Sequence, residues 1–153
     1  MGPSRTVRLW HPRVEPLASR RGQALVETAL AISALLLVLL TGLDVYLYAW
    51  DVWRVQEVAR EAVAATIDAP SEATTRAWLE ERVADEVAAK ALRTSLDGVE
   101  FTLPDGGGYA PGSKVLVTIR ATHRFQFGMH LIAAKAPIAA QAAGLVRRNR
   151  NWQ

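Results

Sequence analysis

The longest hydrophobic stretch of the chain lies near its N-terminus, where residues 28–43 include no charged side chain. Extended back to Gln23, the run contains a single charge, Glu27. As an α-helix it would be about 30 Å long, the thickness of the hydrocarbon core of a bilayer. A buried core helix would show a polar face, and an ordinary signal peptide would end at a cleavage site of small residues. Neither feature is present, so we predict a transmembrane helix over residues 23–43.

An amphipathic pattern continues the helix beyond the apolar run. Apolar or small residues recur at alternating spacings of four and three, at positions 48, 52, 55, 59, 62 and 66. This spacing favours one narrow helix face that packs against another element. We therefore predict a helix over about residues 44–67, ended by Pro70.

A second amphipathic segment follows Pro70. Ser71 suits the N-cap of a helix and Gly98 suits its C-terminal end, which together predict a helix over about residues 72–97. The apolar positions of this segment are Trp78, Leu79, Val83, Val87, Leu92 and Leu96.

The apolar pattern changes to a period of two after Gly98. Alternation predicts strands over about residues 99–103 and 114–127, the second with Val115, Val117, Ile119 and Ala121 on one face. Residues 137–148 fit a strand or a helix, because their alanines favour a helix and their neighbours favour a sheet; we predict a strand. The predicted fold class is α+β, with a long N-terminal transmembrane helix continuing into an amphipathic helix, a second helix, and a small antiparallel three-stranded sheet.

The positive charge is concentrated before the apolar run. Five of the 18 Lys and Arg residues, but only one of the 15 Asp and Glu residues, lie in residues 1–22. The rest of the chain carries 13 basic against 14 acidic residues, so its pattern does not favour nucleic-acid binding. Positive residues stay on the cytoplasmic side, which predicts a basic leader at 1–22 inside and an extracytoplasmic domain at 44–153. The outer interface is predicted at Asp44, Tyr46, Tyr48, Trp50 and Trp53, with core packing as the alternative for the aromatic rings.

The residue types that carry chemistry are sparse. Cysteine is absent, which excludes a disulfide framework and a thiolate metal site. His123 and His130 have no carboxylate nearby in sequence at the spacing of a metal site, which needs three or four ligands. We therefore predict no catalytic residue, no metal, no cofactor and no small-molecule substrate.

The segment RRGQALVE resembles the processing site of type IV pilin-like precursors, in which a basic leader ends in glycine and glutamate occupies the fifth mature position. More narrowly, residues 20–67 resemble the N-terminal region of TadE-like proteins of tight-adherence, Flp-type pilus systems. Thr28 departs from the Phe or Met that usually follows the glutamate. The resemblance implies cleavage between Gly22 and Gln23 and an assembly role for Glu27. It implies a minor pilin or pseudopilin, not an enzyme, in the cytoplasmic membrane or a surface pilus.

The resemblance also implies partners: a prepilin peptidase, other pilins or pseudopilins, and the pilus secretion machinery. The physical chemistry of Glu27 is compatible with this, because a carboxylate at the start of a membrane helix needs a partner. Cleavage would create an α-ammonium group at Gln23, one helical turn away. Two alternatives remain open, an unprocessed signal-anchored envelope protein whose outer domain binds a protein partner, and an anchored hydrolase.

Overall fold

The computed structural model describes residues 17–67, 72–104 and 108–147. The predicted α+β fold class is confirmed: two helices precede a three-stranded antiparallel sheet. The elements are helices α1 (Leu17–Thr66) and α2 (Glu72–Lys90), strands β1 (Thr94–Thr102), β2 (Lys114–Arg124) and β3 (Lys135–Leu145), and a 3-10 turn at Gly128–Leu131. The predicted cap Ser71, the stop Pro70 and most of the predicted leader lie outside the described residues.

Helix α1 begins earlier than predicted. It starts at Leu17, six residues before Gln23, so the last part of the predicted leader is helical. Residues 17–22 follow the last proline of the leader, Pro16, and they include good helix formers, Leu17, Ala18, Arg20 and Arg21, which offset the cost of Gly22 in a helix. Residues 17–36 belong to one compact unit, and the chain from residue 37 onward forms a second unit that contains the sheet.

The sheet is a meander with the strand order β1-β2-β3. The central strand pairs Val117 with Phe101 on one side and with Ala142 on the other. The predicted third strand is therefore confirmed, although it runs over Lys135–Leu145. Its alanines do not form a helix because each second side chain has a place on the sheet, as the buried Ile138 and Ala140 show.

The core of the second unit lies between the sheet and the helices. Helix α1 contributes the predicted narrow stripe, with Val55 and Ala59 fully buried. Strand β2 contributes the predicted face, since Val115, Val117, Ile119 and Ala121 are all buried. From α2 the core receives Leu79, Val83 and Val87.

The end of the second helix was predicted wrongly. Helix α2 stops at Lys90 and β1 begins at Thr94, so Leu92 is not part of the helix and Leu96 lies in a strand. Gly98 is not a helix cap; it lies in β1 next to a shift of the register between Leu96 and Gly98. The cause is Asp51 of α1, which binds the backbone N–H groups just after Lys90.

Candidate functional site: the apolar helix and two buried aspartates

Helix α1 holds the one candidate membrane span within the described residues. The stretch from Gly22 to Thr66 includes an 18-residue window apolar enough to cross a bilayer, and none of this window is buried. Side chains such as Leu30 and Val38 are about two thirds exposed, at 66% and 68%. A helix in the core of a soluble protein would bury such residues, so this surface needs an apolar surrounding of its own.

Hydroxyl groups on this apolar surface are satisfied within the helix. Thr28, Ser33 and Thr41 each donate a hydrogen bond to the carbonyl oxygen four residues earlier, at 2.7–2.8 Å. A hydroxyl bonded in this way leaves no donor without a partner in an apolar medium. The three polar residues are therefore compatible with a membrane span.

The predicted processing site lies on the exposed surface of α1. Gly22 is exposed, and a Cβ built on it would meet no other atom within 4 Å. The Gln23 side chain donates a hydrogen bond from Nε2 to Glu27 Oε1 at 2.9 Å. Glu27 thus has a neutral amide partner on the residue that is predicted to become the first one after cleavage.

The five residues predicted at the outer interface divide between two faces of α1. Tyr46 and Trp53 are more than half exposed, and Trp50 lies between them. The Arg54 guanidinium stacks over Trp50 and Trp53, with Cζ 4.8 and 4.7 Å from the ring centroids. We call these four residues the aromatic face. A cation stacked on amphipathic rings is typical of the boundary between an apolar and an aqueous phase.

Asp44 and Tyr48 point the other way, towards the sheet. Asp44 is fully buried against the domain, so its carboxylate is shielded from solvent although it directly follows the predicted span. The Tyr48 hydroxyl donates a hydrogen bond to the Pro137 carbonyl oxygen at 3.2 Å, and its ring packs against His123 and Phe125. For Tyr48 the alternative interpretation, core packing, describes its ring better. Positions 44, 48 and 51 share one helix face because they are four and three residues apart.

The Asp44 carboxylate binds the segment that follows β2. It accepts hydrogen bonds from the backbone N–H groups of Gln126, Phe127 and Met129, at 3.3, 2.9 and 3.0 Å. Arg93 Nη1 lies 3.7 Å from the same carboxylate, which is an ion pair too long for a hydrogen bond. Between these donors Gly128 touches α1 directly, because a Cβ there would lie 2.0 Å from Thr41 Oγ1. Asp44 therefore fixes the β2–β3 turn on the helix.

Asp51 binds the segment between α2 and β1. Its carboxylate accepts hydrogen bonds from the N–H groups of Leu92 and Arg93, at 3.0 and 3.2 Å, and from the Thr94 hydroxyl at 2.6 Å. These bonds turn the chain away from the helix axis after Lys90, which explains why α2 ends early. Burial alone would raise the pKa of Asp51, but the hydrogen bonds from Thr94, Leu92, His123 and Arg93 outweigh it and leave the pKa below its ordinary value.

His123 completes the environment of Asp51. Its Nδ1 lies 2.8 Å from Asp51 Oδ2, and both side chains are fully buried. The proton belongs on Nδ1, because Nε2 has no partner and a buried nitrogen without a proton costs less than an unpaired N–H donor. Since the rings of Tyr48 and Phe125 pack against the imidazole, the pair has no exposed atom to offer a substrate.

Sequence reasoning missed this pair, because Asp51 lies 72 residues away from His123. The signal that was present is the spacing of seven between Asp44 and Asp51, which places both carboxylates on the helix face that carries the apolar stripe. An acidic residue on such a face must be paired when it is buried.

No group of three or more His, Asp or Glu side chains suited to a metal ion occurs within residues 17–67, 72–104 and 108–147. His130 is exposed on the turn after β2. In comparisons with known proteins, no family, no curated protein and no solved structure matches the chain.

Proposed function

We propose that the chain is a structural minor pilin or pseudopilin of the TadE type, made as a precursor and processed after Gly22 by a prepilin peptidase. In this proposal α1 holds the precursor in the cytoplasmic membrane with the α+β domain outside, and later packs among the helices of other pilins. The protein takes part in the assembly of an adhesive surface pilus, and it is a substrate of the peptidase and not an enzyme.

The observation that carries the proposal is the position of Glu27. It is a carboxylate on an unburied apolar helix, five residues after an exposed glycine, and its partner is the side chain of Gln23. A lone carboxylate at the start of a membrane helix is costly, and such residues mark functional positions. Cleavage after Gly22 would place a positive α-amino group on Gln23, within one turn of Glu27, on the same chain or on a neighbour.

The surface of residues 22–43 supports a role in assembly. A helix whose apolar side chains are exposed all round can be surrounded first by lipid and then by other apolar helices, since both environments exclude water. The aromatic face suits the outer boundary of the membrane in the precursor. Asp44 and Asp51, both buried, attach α1 to the segments that flank the sheet, so the domain and its helix would enter an assembly together.

Mass spectrometry of the protein purified from membranes tests the cleavage. We expect a mature N-terminus at Gln23 in cells that contain the peptidase, and an intact precursor for Gly22→Ala. Gly42→Ala is the matched control, because a Cβ at Gly42 also meets no atom within 4 Å and the residue lies in the same helix. An uncut chain in such cells would refute the proposal.

The role of Glu27 requires a separate measurement. Glu27→Gln keeps the size of the side chain and removes its charge, so we expect normal cleavage and normal folding but loss of incorporation into pili. Glu57→Gln provides the control, since Glu57 forms an ion pair with Arg54 on the same helix well beyond the apolar run. Normal incorporation of the Glu27→Gln protein would argue against an assembly role.

A second candidate is an unprocessed, signal-anchored envelope protein whose outer domain binds a protein partner. The observation in its favour is a concave, largely apolar surface that includes three of the four residues of the aromatic face. It is lined by Tyr46, Leu47, Trp50, Arg54, Ala89, Lys90 and Leu92. Aromatic residues and arginine are enriched at protein interfaces. Retention of Met1 in the membrane protein, together with a crosslink from Trp50 to another protein, would favour this candidate.

A further inference from the structure

The turn between β2 and β3 exposes two large apolar side chains at its tip. Leu131 is 77% exposed and Ile132 is 80% exposed, although both lie in a folded 3-10 turn or directly after it. The Ile132 and Ala133 N–H groups bind the Met129 carbonyl oxygen at 2.9 and 2.8 Å, so the backbone of the tip is held in place. Two adjacent aliphatic side chains fixed in this way form an apolar point that faces away from the core.

The height of this tip along α1 follows from three contacts. Gly128 is packed against the Thr41 backbone, and the Phe127 and Met129 N–H groups bind Asp44. Thr41 belongs to the last turn of the predicted span at residues 23–43, and Asp44 comes directly after it. Leu131 follows Met129 by two residues, a reach of at most about 7 Å. The apolar tip therefore lies beside the outer end of the span.

The exposed charged side chains of residues 124–135 are basic, whereas the carboxylate of Asp44 is buried beneath the turn. Arg124 and Lys135 face each other across the base of the turn, and both are exposed. No acidic residue occurs from position 124 to position 135. An apolar tip flanked by two basic side chains suits a membrane surface. There the aliphatic groups enter the acyl region and the cations meet anionic headgroups.

We propose that Leu131 and Ile132 dip into the outer leaflet of the membrane that α1 crosses, so that the domain rests on the bilayer at a second point. The inference depends on the proposed function only in requiring α1 as a membrane span. The partner of the tip is lipid, because the tip is held at the level where the span leaves the membrane and because the residues at its base, Arg124 and Lys135, are basic. A contact of the tip with another protein is the competing outcome.

Single cysteines give a direct test, since the natural chain has none. The full chain carrying Ile132→Cys is labelled with a polarity-sensitive fluorophore and reconstituted in vesicles of phosphatidylethanolamine and phosphatidylglycerol. Ala143→Cys is the matched control, because Ala143 is also exposed on the same hairpin but pairs with Leu116 at its opposite end. Val38→Cys reports on the span itself.

We expect lipids with a nitroxide on the acyl chain to quench the label at positions 38 and 132 and to leave the label at 143 at background. Quenching at 38 without quenching at 132 would overturn the inference and leave the span intact. A label at 132 that is shielded from water but not quenched by lipid would assign the tip to a protein contact and also overturn it. If position 38 is not quenched, the span fails, and the inference fails with it.

Discussion

Two parts of helix α1 have the same backbone and opposite surroundings. Between residues 22 and 40 every side chain is exposed, and the polar groups bind other atoms of the same helix. From Asp44 to Thr66 the helix has one face that is buried, with Val55 and Ala59 fully enclosed. The apolar side chains of the first part therefore need lipid or another protein to cover them, whereas the second part is stabilised by its own domain.

The comparison shows that local propensity decides neither environment. Both parts are rich in good helix formers, so a helix is expected throughout. The difference lies in which positions are polar. An uninterrupted apolar surface has no preferred face, while the stripe with two aspartates on it selects a single partner, the sheet.

The largest effect is expected for Asp51→Ala, which would remove the hydrogen bonds between the packed part of α1 and the rest of the domain. The change leaves three donors near residues 92–94 and the His123 Nδ1–H without an acceptor. Removing one member of such a buried polar network costs about 3–5 kcal/mol of unfolding free energy. Urea unfolding of the full chain in detergent, followed by circular dichroism, measures the loss. Asp85→Ala, an exposed site on α2, should change stability by less than about 0.5 kcal/mol; equal effects at both sites would contradict the assignment.

A matched pair of valines would test the comparison itself. Val55→Ala removes two buried carbon atoms and should cost about 2–3 kcal/mol. Val38→Ala makes the same chemical change on the exposed part, where Val38 is 68% exposed, and should leave the stability of the domain unchanged within about 0.5 kcal/mol. Chemical denaturation of both variants in the same detergent provides the measurement. If Val38→Ala destabilises the domain as much as Val55→Ala, the two parts of the helix are not independent in the way described.

Gly128→Ala should have a smaller effect, at the edge between the two parts. The added methyl group would lie 2.7 Å from the Thr41 backbone nitrogen, so the turn must move away from α1, at a cost of about 1–3 kcal/mol. Thermal unfolding measures this cost. Gly98→Ala is the control, since its Cβ would meet nothing within 4 Å. The additional change Thr41→Ala should restore only part of the stability because the backbone contact persists, and full recovery would show that the hydroxyl alone causes the clash.

The smallest effect is a pH dependence. The pKa of Asp51 lies below its ordinary value of 3.8 in the folded protein, so the ionised carboxylate stabilises the fold above that pH. This contribution should be lost as the pH falls from 3.8 through the folded-state pKa. Urea midpoints measured across this interval should decline more steeply for the natural chain than for Asp51→Asn, which cannot ionise. Identical slopes would mean that other carboxyl groups account for the acid sensitivity.

The sequence was sufficient for the elements whose pattern is periodic. The buried face of β2 and the stripe on α1 follow directly from spacing, because burial of alternate or every third to fourth residue is what forms such a face. The end of α2 was not predictable in this way. Residues 91–97 continue a plausible helical pattern, and the competing structure depends on Asp51, some 40 positions earlier in the chain.

The candidate site divides along the same line. Gln23 and Glu27 lie four residues apart in the predicted helix, so their proximity could be predicted, and the Gln23–Glu27 contact is consistent with it. Gly22 was assigned to the leader, but it lies within α1. Asp44 was predicted at the outer interface of the membrane, directly after the apolar run. Its real environment is the backbone of residues 126–129, and no local pattern indicates which distant N–H groups a carboxylate will bind.

Strand β3 runs alongside residues 48–63 of helix α1 with a matching rise, which has a mechanical consequence. Contacts join Tyr48 to Pro137, Gln56 to Gln141, and Val63 to Gly144. Between the first two contacts the helix advances about 12 Å and the strand about 13 Å, and between the last two the helix advances about 10 Å and the strand about 10 Å. The strand thus braces residues 48–63 of the helix along their whole length. Bending or stretching residues 48–63 of α1 would strain all three contacts at the same time, so this part of the helix should resist deformation when the protein is pulled.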